Sequence, residues 1–132
     1  MAESREEGAP RGGAVVSRDP IDNLGTALDH LAVVDRHLTS GRLDDQMVFD
    51  AVCMRLSSAI ESVSRLPEAW LTAEFGDEWP QIRATRNLIA HDYRAVSSER
   101  LIHVLEHRLS AFTAGLHRLI ARHAPGLEPE LP

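Results

Sequence analysis

Residues 86–93, RNLIAHDY, place Arg86, His91 and Tyr93 within eight positions around a small apolar step of Leu88, Ile89 and Ala90. The three side chains have complementary chemistry. Arginine presents a permanently charged planar fork that matches phosphate oxygens. Histidine titrates near neutral pH and can move a proton. Tyrosine can stack on a base or offer its hydroxyl as the acceptor of a transferred group. Together they suit metal-free cleavage of RNA. His91 draws the proton from a ribose 2′-hydroxyl or protonates the leaving oxygen, and Arg86 stabilises charge on the phosphorane. The same residues also fit a capped helix end with ordinary polar punctuation, and spacing alone leaves both readings open.

Helical geometry constrains the first reading. At about 100° per residue, Arg86 and Tyr93 share a face, while His91 lies about 140° from Arg86. Either the helix ends or distorts near His91, or a second chain completes the site. A symmetric dimer brings two copies of the motif together about a twofold axis.

The elements that must position these residues are helices. Asp19-Pro20 supplies a capping acceptor and a proline at the first helical position. Ile21, Leu24, Leu28, Leu31 and Leu38 follow as an amphipathic stripe that closes at Gly41. A second helix starts near Asp44-Asp45, aligns Val48, Val52, Leu56, Ala59, Val63 and Leu66, and stops before Pro67. The stretch EAWLTAEFGDEWP reads as a short helix and a turn around Gly76. A third long helix starts close to Trp79-Pro80 and runs through Ile82 and Leu88 into the motif. Ser97 or Ser98 caps a last long helix carrying Leu101, Leu105, Leu109, Phe112, Leu116 and Leu119. No segment alternates with period two. The expected fold is all-α, an antiparallel bundle of four main helices plus a short one over residues 19–124. Residues 1–18 read as a disordered leader and 125–132 as a disordered tail.

Bulk properties narrow the class. A chain of 132 residues with 43% hydrophobic content fits one domain. The net charge of −6 argues against a general nucleic-acid binder, but the charge is unevenly spread. Residues 1–78 carry seven arginines against fifteen acids, a balance of −8, whereas 79–123 carry seven against three, a balance of +4. All fourteen basic residues are arginine. The single cysteine, Cys53, excludes an internal disulfide and fits a reducing compartment. No run approaches the roughly 20 apolar residues of a membrane span, and the N-terminus lacks a secretory h-region, so a cytoplasmic location is expected.

A decoy must be set aside. HVLEH, residues 103–107, matches the His-x-x-Glu-His pattern of inverted zinc peptidases, with His103 and His107 on one face. A catalytic zinc needs a third protein ligand and a cleft, and only Glu128 and Glu130 follow, in the proline-bounded tail. Solvated or interface histidines are the better reading. His30 and His37 read as packing or surface residues and Cys53 as a buried small residue.

The chain resembles the HepT-like toxins of the HEPN superfamily. Their mark is Arg-x-x-x-x-His-x-Tyr with Asn following the Arg, here Arg86, Asn87, His91 and Tyr93. Trp79 and Ile82 fill the family's W-x-x-I-x-x-x-R-N. ESVSRLP (61–67) is similar to its GEAxxxLP, with Glu61, Leu66 and Pro67 corresponding and Ile60 and Ser62 departing. The resemblance covers roughly residues 20–120. It implies a HEPN-like homodimer that is the ribonuclease toxin of a HEPN/MNT (type VII) toxin–antitoxin pair. It also implies an antitoxin, a minimal nucleotidyltransferase of the MntA type, that neutralises the toxin by transferring AMP from ATP to the motif tyrosine. Carried over, Arg86 and His91 are the catalytic pair, Asn87 supports them and Tyr93 is modified, with no metal or cofactor. Arg83 and Arg94 are candidates for further RNA phosphate contacts. Two other classes compete: a non-catalytic nucleotide- or substrate-binding subunit of a nucleotidyltransferase complex, and a purely structural helical dimer.

Overall fold

The computed structural model describes residues 19–91 and 98–124. Within them the chain forms six helices and no strand: α1 (Pro20–Ser40), α2 (Gln46–Val63), α3 (Glu68–Phe75), α4 (Glu78–His91), α5 (Ser98–His107) and α6 (Leu109–His123). The all-helical class expected from the periodicity is what the chain adopts.

Local chemistry sets most of the boundaries. The Asp19 carboxylate accepts from the Ile21 amide at 2.9 Å, and that of Asp45 from the Met47 amide at 2.8 Å. Each satisfies a donor that the first turn of a helix leaves orphaned. Gly76 ends α3 at φ 54, a left-handed backbone that glycine adopts without steric cost. Gly41 behaves differently from the left-handed cap usual for a helix-ending glycine. It is extended, at φ −136 and ψ −177. Its lack of a side chain matters for room, because a Cβ there would lie 2.7 Å from Val48 Cγ2.

The short link at 41–45 folds α1 and α2 into a hairpin, and α4 packs on α2 while α6 packs on α1. Leu24, Leu31 and Val34 of α1 meet Val52, Leu56 and Val63 of α2 in the core, which Leu116 and Leu119 of α6 complete. The short α3 bridges α4 and α6. Its Glu74, with a side chain only 5% exposed, takes Arg118 at 2.8 Å and Arg122 at 3.4 Å. Trp70 stacks on His123 with ring centroids 3.6 Å apart.

The last helix departs from expectation. The apolar period runs smoothly from Leu101 to Leu119, but the chain leaves helical geometry at Arg108 (φ −130, ψ −23) and divides into α5 and α6. Neither proline nor glycine stands there. The cause is tertiary: α6 docks on α1 and α3, whereas α5 packs chiefly on α6. Of the two serines expected to cap the last helix, Ser98 is the first residue of α5 and Ser97 lies outside the described residues. Between α4 and α5 lies a cavity of about 1070 Å³, with Leu56 and Ile60 of α2 among its lining and Arg100, His103, His107 and Arg108 on the α5 side.

Two predictions follow from these contacts. Glu74→Gln leaves two arginines that are already about half exposed, so a loss of about 1 kcal/mol or less is expected in urea unfolding. Removing Arg118 and Arg122 together strands a buried carboxylate and should cost more, on the order of 3 kcal/mol. The second concerns acid. Arg55 donates to His30 Nδ1 at 3.1 Å, which requires a neutral ring, and burial, then the Arg55 charge, hold the His30 pKa below its ordinary 6.5. The unfolded chain therefore binds the proton more readily, and stability falls as pH drops below about 6.5 toward the lowered native value. The melting temperature of wild type should fall more steeply between pH 7.5 and 5.5 than that of His30→Gln.

Candidate functional site

α4 carries the motif, and its packing on α2 determines what the motif residues meet. Ile89 and Trp79, 7% and 3% exposed, turn one face of α4 into the core. Arg86 leaves the helix beside the C-terminal part of α2. Its Nη2 pairs with Glu61 Oε1 at 2.7 Å, and its Nη1 donates to Asn87 Oδ1 at 2.9 Å. Its Nε is buried and has no hydrogen-bond partner among the described residues. Glu61 is itself shared, since its Oε2 takes Nη2 of Arg65, four residues on in the turn after α2, at 2.9 Å. Two guanidiniums, one from α4 and one from the turn after α2, thus converge on one carboxylate, and all three side chains are 30–38% exposed.

The other motif residues are placed less centrally. α4 remains helical as far as His91, the last residue described before the interruption, and His91 is exposed. The helix does not distort ahead of His91, so the azimuthal separation of about 140° between Arg86 and His91 stands. Tyr93 and Arg94 lie outside the described residues. Arg83 holds its guanidinium 5.9 Å from the Trp79 ring centroid, a cation–π contact that anchors its stem against α4 while the residue stays exposed.

Residues elsewhere are not drawn into this group. The His103 and His107 rings lie 4.5 Å apart on α5, and among the described residues no three His, Cys, Asp or Glu side chains are grouped to hold a metal ion. Cys53 is fully buried and its thiol is pushed up to about 11, first by burial and then by the charge of Asp50. It sits in the core as a small apolar residue. No helix among the described residues is long and apolar enough to cross a membrane.

A family model for HepT-like ribonucleases matches residues 26–119. The chain belongs to the HepT-like family. That span runs from α1 into α6 and contains the whole motif together with Glu61 and Arg65. Membership suggests a ribonuclease. Comparison with curated proteins and with solved structures gave no match.

What sequence reasoning missed in this HepT-like chain is the Glu61–Arg86 pair, because 25 residues separate the partners. A signal existed: Glu61, on α2, and Arg65, in the turn that follows it, stand at i, i+4, a spacing that marks an ion pair. Half-exposed pairs contribute little to stability, about 0–1 kcal/mol each. Glu61 therefore matters for where Arg86 points more than for how firmly the fold holds. Glu61→Gln should lose less than about 2 kcal/mol in urea unfolding, with an unchanged m-value.

Proposed function

We propose that this protein is the toxin of a HEPN/MNT toxin–antitoxin pair and acts as an endoribonuclease that needs no metal. The observation that carries the reading is the family match over residues 26–119, which encloses Arg86, Asn87, His91 and Tyr93 in their family order. His91 removes the proton from a ribose 2′-hydroxyl, and that oxygen attacks the adjacent phosphorus. The bond from phosphorus to the 5′ oxygen breaks, and the leaving oxygen takes up a proton, giving a 2′,3′-cyclic phosphate and a 5′-hydroxyl. Arg86 stabilises the extra negative charge on the phosphorane. The Asn87 carboxamide supports this role, since its oxygen accepts from Arg86 Nη1.

The divergence of Arg86 and His91 on an unbroken helix supports a homodimer in which each site takes residues from both copies. The antitoxin of this reading is an MntA-like nucleotidyltransferase that moves AMP from ATP onto the Tyr93 hydroxyl, releasing pyrophosphate. A phosphodiester and a base on Tyr93 would stand in the space an RNA phosphate needs beside Arg86. The working domain is taken as residues 19–124, in the cytoplasm. A second reading has one observation in its favour. Asp22, Asp29, Asp35, Asp44, Asp45 and Asp50 are all exposed on α1, α2 and their link, an excess of surface acid suited to docking on a protein. In that reading the chain is a nucleotide-binding subunit of a nucleotidyltransferase complex and cuts nothing.

One set of measurements separates them: RNA cleavage and intact mass for the protein expressed alone and with its cognate nucleotidyltransferase. The lone protein should cleave RNA in the presence of EDTA. Arg86→Ala and His91→Ala should slow cleavage about 100-fold or more. The co-expressed protein should gain the mass of AMP, and Tyr93→Phe should not. A folded lone protein that cuts no RNA, with no mass gained on co-expression, leaves the binding-subunit reading in its place.

A further inference from the structure

We propose that Arg65, in the turn that follows α2, is a second phosphate contact of the site and acts with Arg86 across Glu61. The inference rests on the reading above, that Arg86 meets RNA phosphate. Glu61 holds Arg65 by one oxygen at 2.9 Å and Arg86 by the other at 2.7 Å. The two Nη2 atoms are therefore at most about 8 Å apart, the span of one carboxylate and its two charged hydrogen bonds. A phosphate with bonds of about 2.8 Å on either side bridges a similar distance. The triad of two guanidiniums and one carboxylate keeps a net positive charge, so it attracts an anion with Glu61 in place.

Burial gives the direction of approach. Arg86 Nε is closed off inside the structure. A ligand reaches its guanidinium from the Nη side, where Glu61, Asn87 and Arg65 stand. Arg65 spends one Nη2 contact on Glu61 and is 38% exposed, which leaves further donors of its fork turned to solvent. Stability does not explain the arrangement, because an exposed i, i+4 pair contributes only about 0.3–0.5 kcal/mol. An arginine held beside another arginine, against their mutual repulsion, gains its use when a doubly bridging anion arrives.

The test uses the full chain and a short, labelled, single-stranded RNA with 2′-O-methyl groups, which binds but offers no 2′-hydroxyl for cleavage. Fluorescence anisotropy is followed across a salt series. Arg65→Gln should weaken binding about tenfold and flatten the slope of log K against log salt by about 0.7, the loss of one phosphate contact on a single strand. Arg65→Lys should keep the slope. Arg42→Gln, whose partner is Asp44 in the link between α1 and α2, should change neither quantity. Glu61→Gln separates direct contact from action through the carboxylate: in that background Arg65→Gln should still weaken binding by a similar factor. Unchanged binding in Arg65→Gln, or an effect that vanishes in the Glu61→Gln background, overturns the proposal. Wild type that binds no RNA removes both the proposal and the ribonuclease reading. Wild type that binds through Arg65 yet cleaves no unmodified RNA removes the ribonuclease reading alone.

Discussion

The packing of α4 on α2 is the contact on which the site depends. α2 has two jobs separated by a small rotation about its axis. Leu56, Ala59, Ile60 and Val63 face the core, and Glu61, a single residue past Ile60, stands at the edge where α4 passes. A change in the angular register of α2 would carry Glu61 away from Arg86 at the same time as it unpacked the core. Close packing therefore does for Arg86 what a strong polar interaction would otherwise have to do. It fixes the position of the anchor to within the tolerance of a side-chain contact. Asn87, next to Arg86 on the same helix, adds the acceptor that orients the guanidinium plane.

The energies point the same way. The core excludes water almost completely from residues such as Val52, Leu116 and Leu119. The polar group around Glu61 is about a third exposed, and its ion pairs carry little free energy. A site built so can exchange one anionic partner for another without unfolding anything. The buried Glu74 cluster on α3 and α6 is its opposite: a carboxylate almost sealed from solvent, whose cations are needed because water is not available.

Much of this was legible in the chain. Asp19-Pro20, Asp45 and Gly76 mark boundaries by local hydrogen-bond and backbone rules, and those rules operate within a few residues. The period of Leu24, Leu31, Val52, Leu56 and Val63 gave the core face, because burial acts on every turn alike. Three features were not legible, each for a non-local reason. The division at Arg108 has no breaker residue and comes from the competing docking of α5 and α6. Gly41 is small because Val48 is close, a fact of the folded hairpin. The Glu61–Arg86 pair joins residues on separate helices, so its spacing in sequence carries no periodic signal. The motif's Tyr93, and Arg94 beside it in sequence, are a matter of sequence alone, since both lie outside the described residues.

The cavity behind α4 has a consequence for motion. Among the described elements α5 packs chiefly on α6, with Leu101 and Leu105 in the core, and it also borders the cavity of about 1070 Å³. A helix with one principal partner among the described elements is the natural unit of partial opening, at a free energy below that of global unfolding. The backbone amides of α5 are then the fast-exchanging set among the helices, while those of α1 and α2 exchange only when the whole domain comes apart.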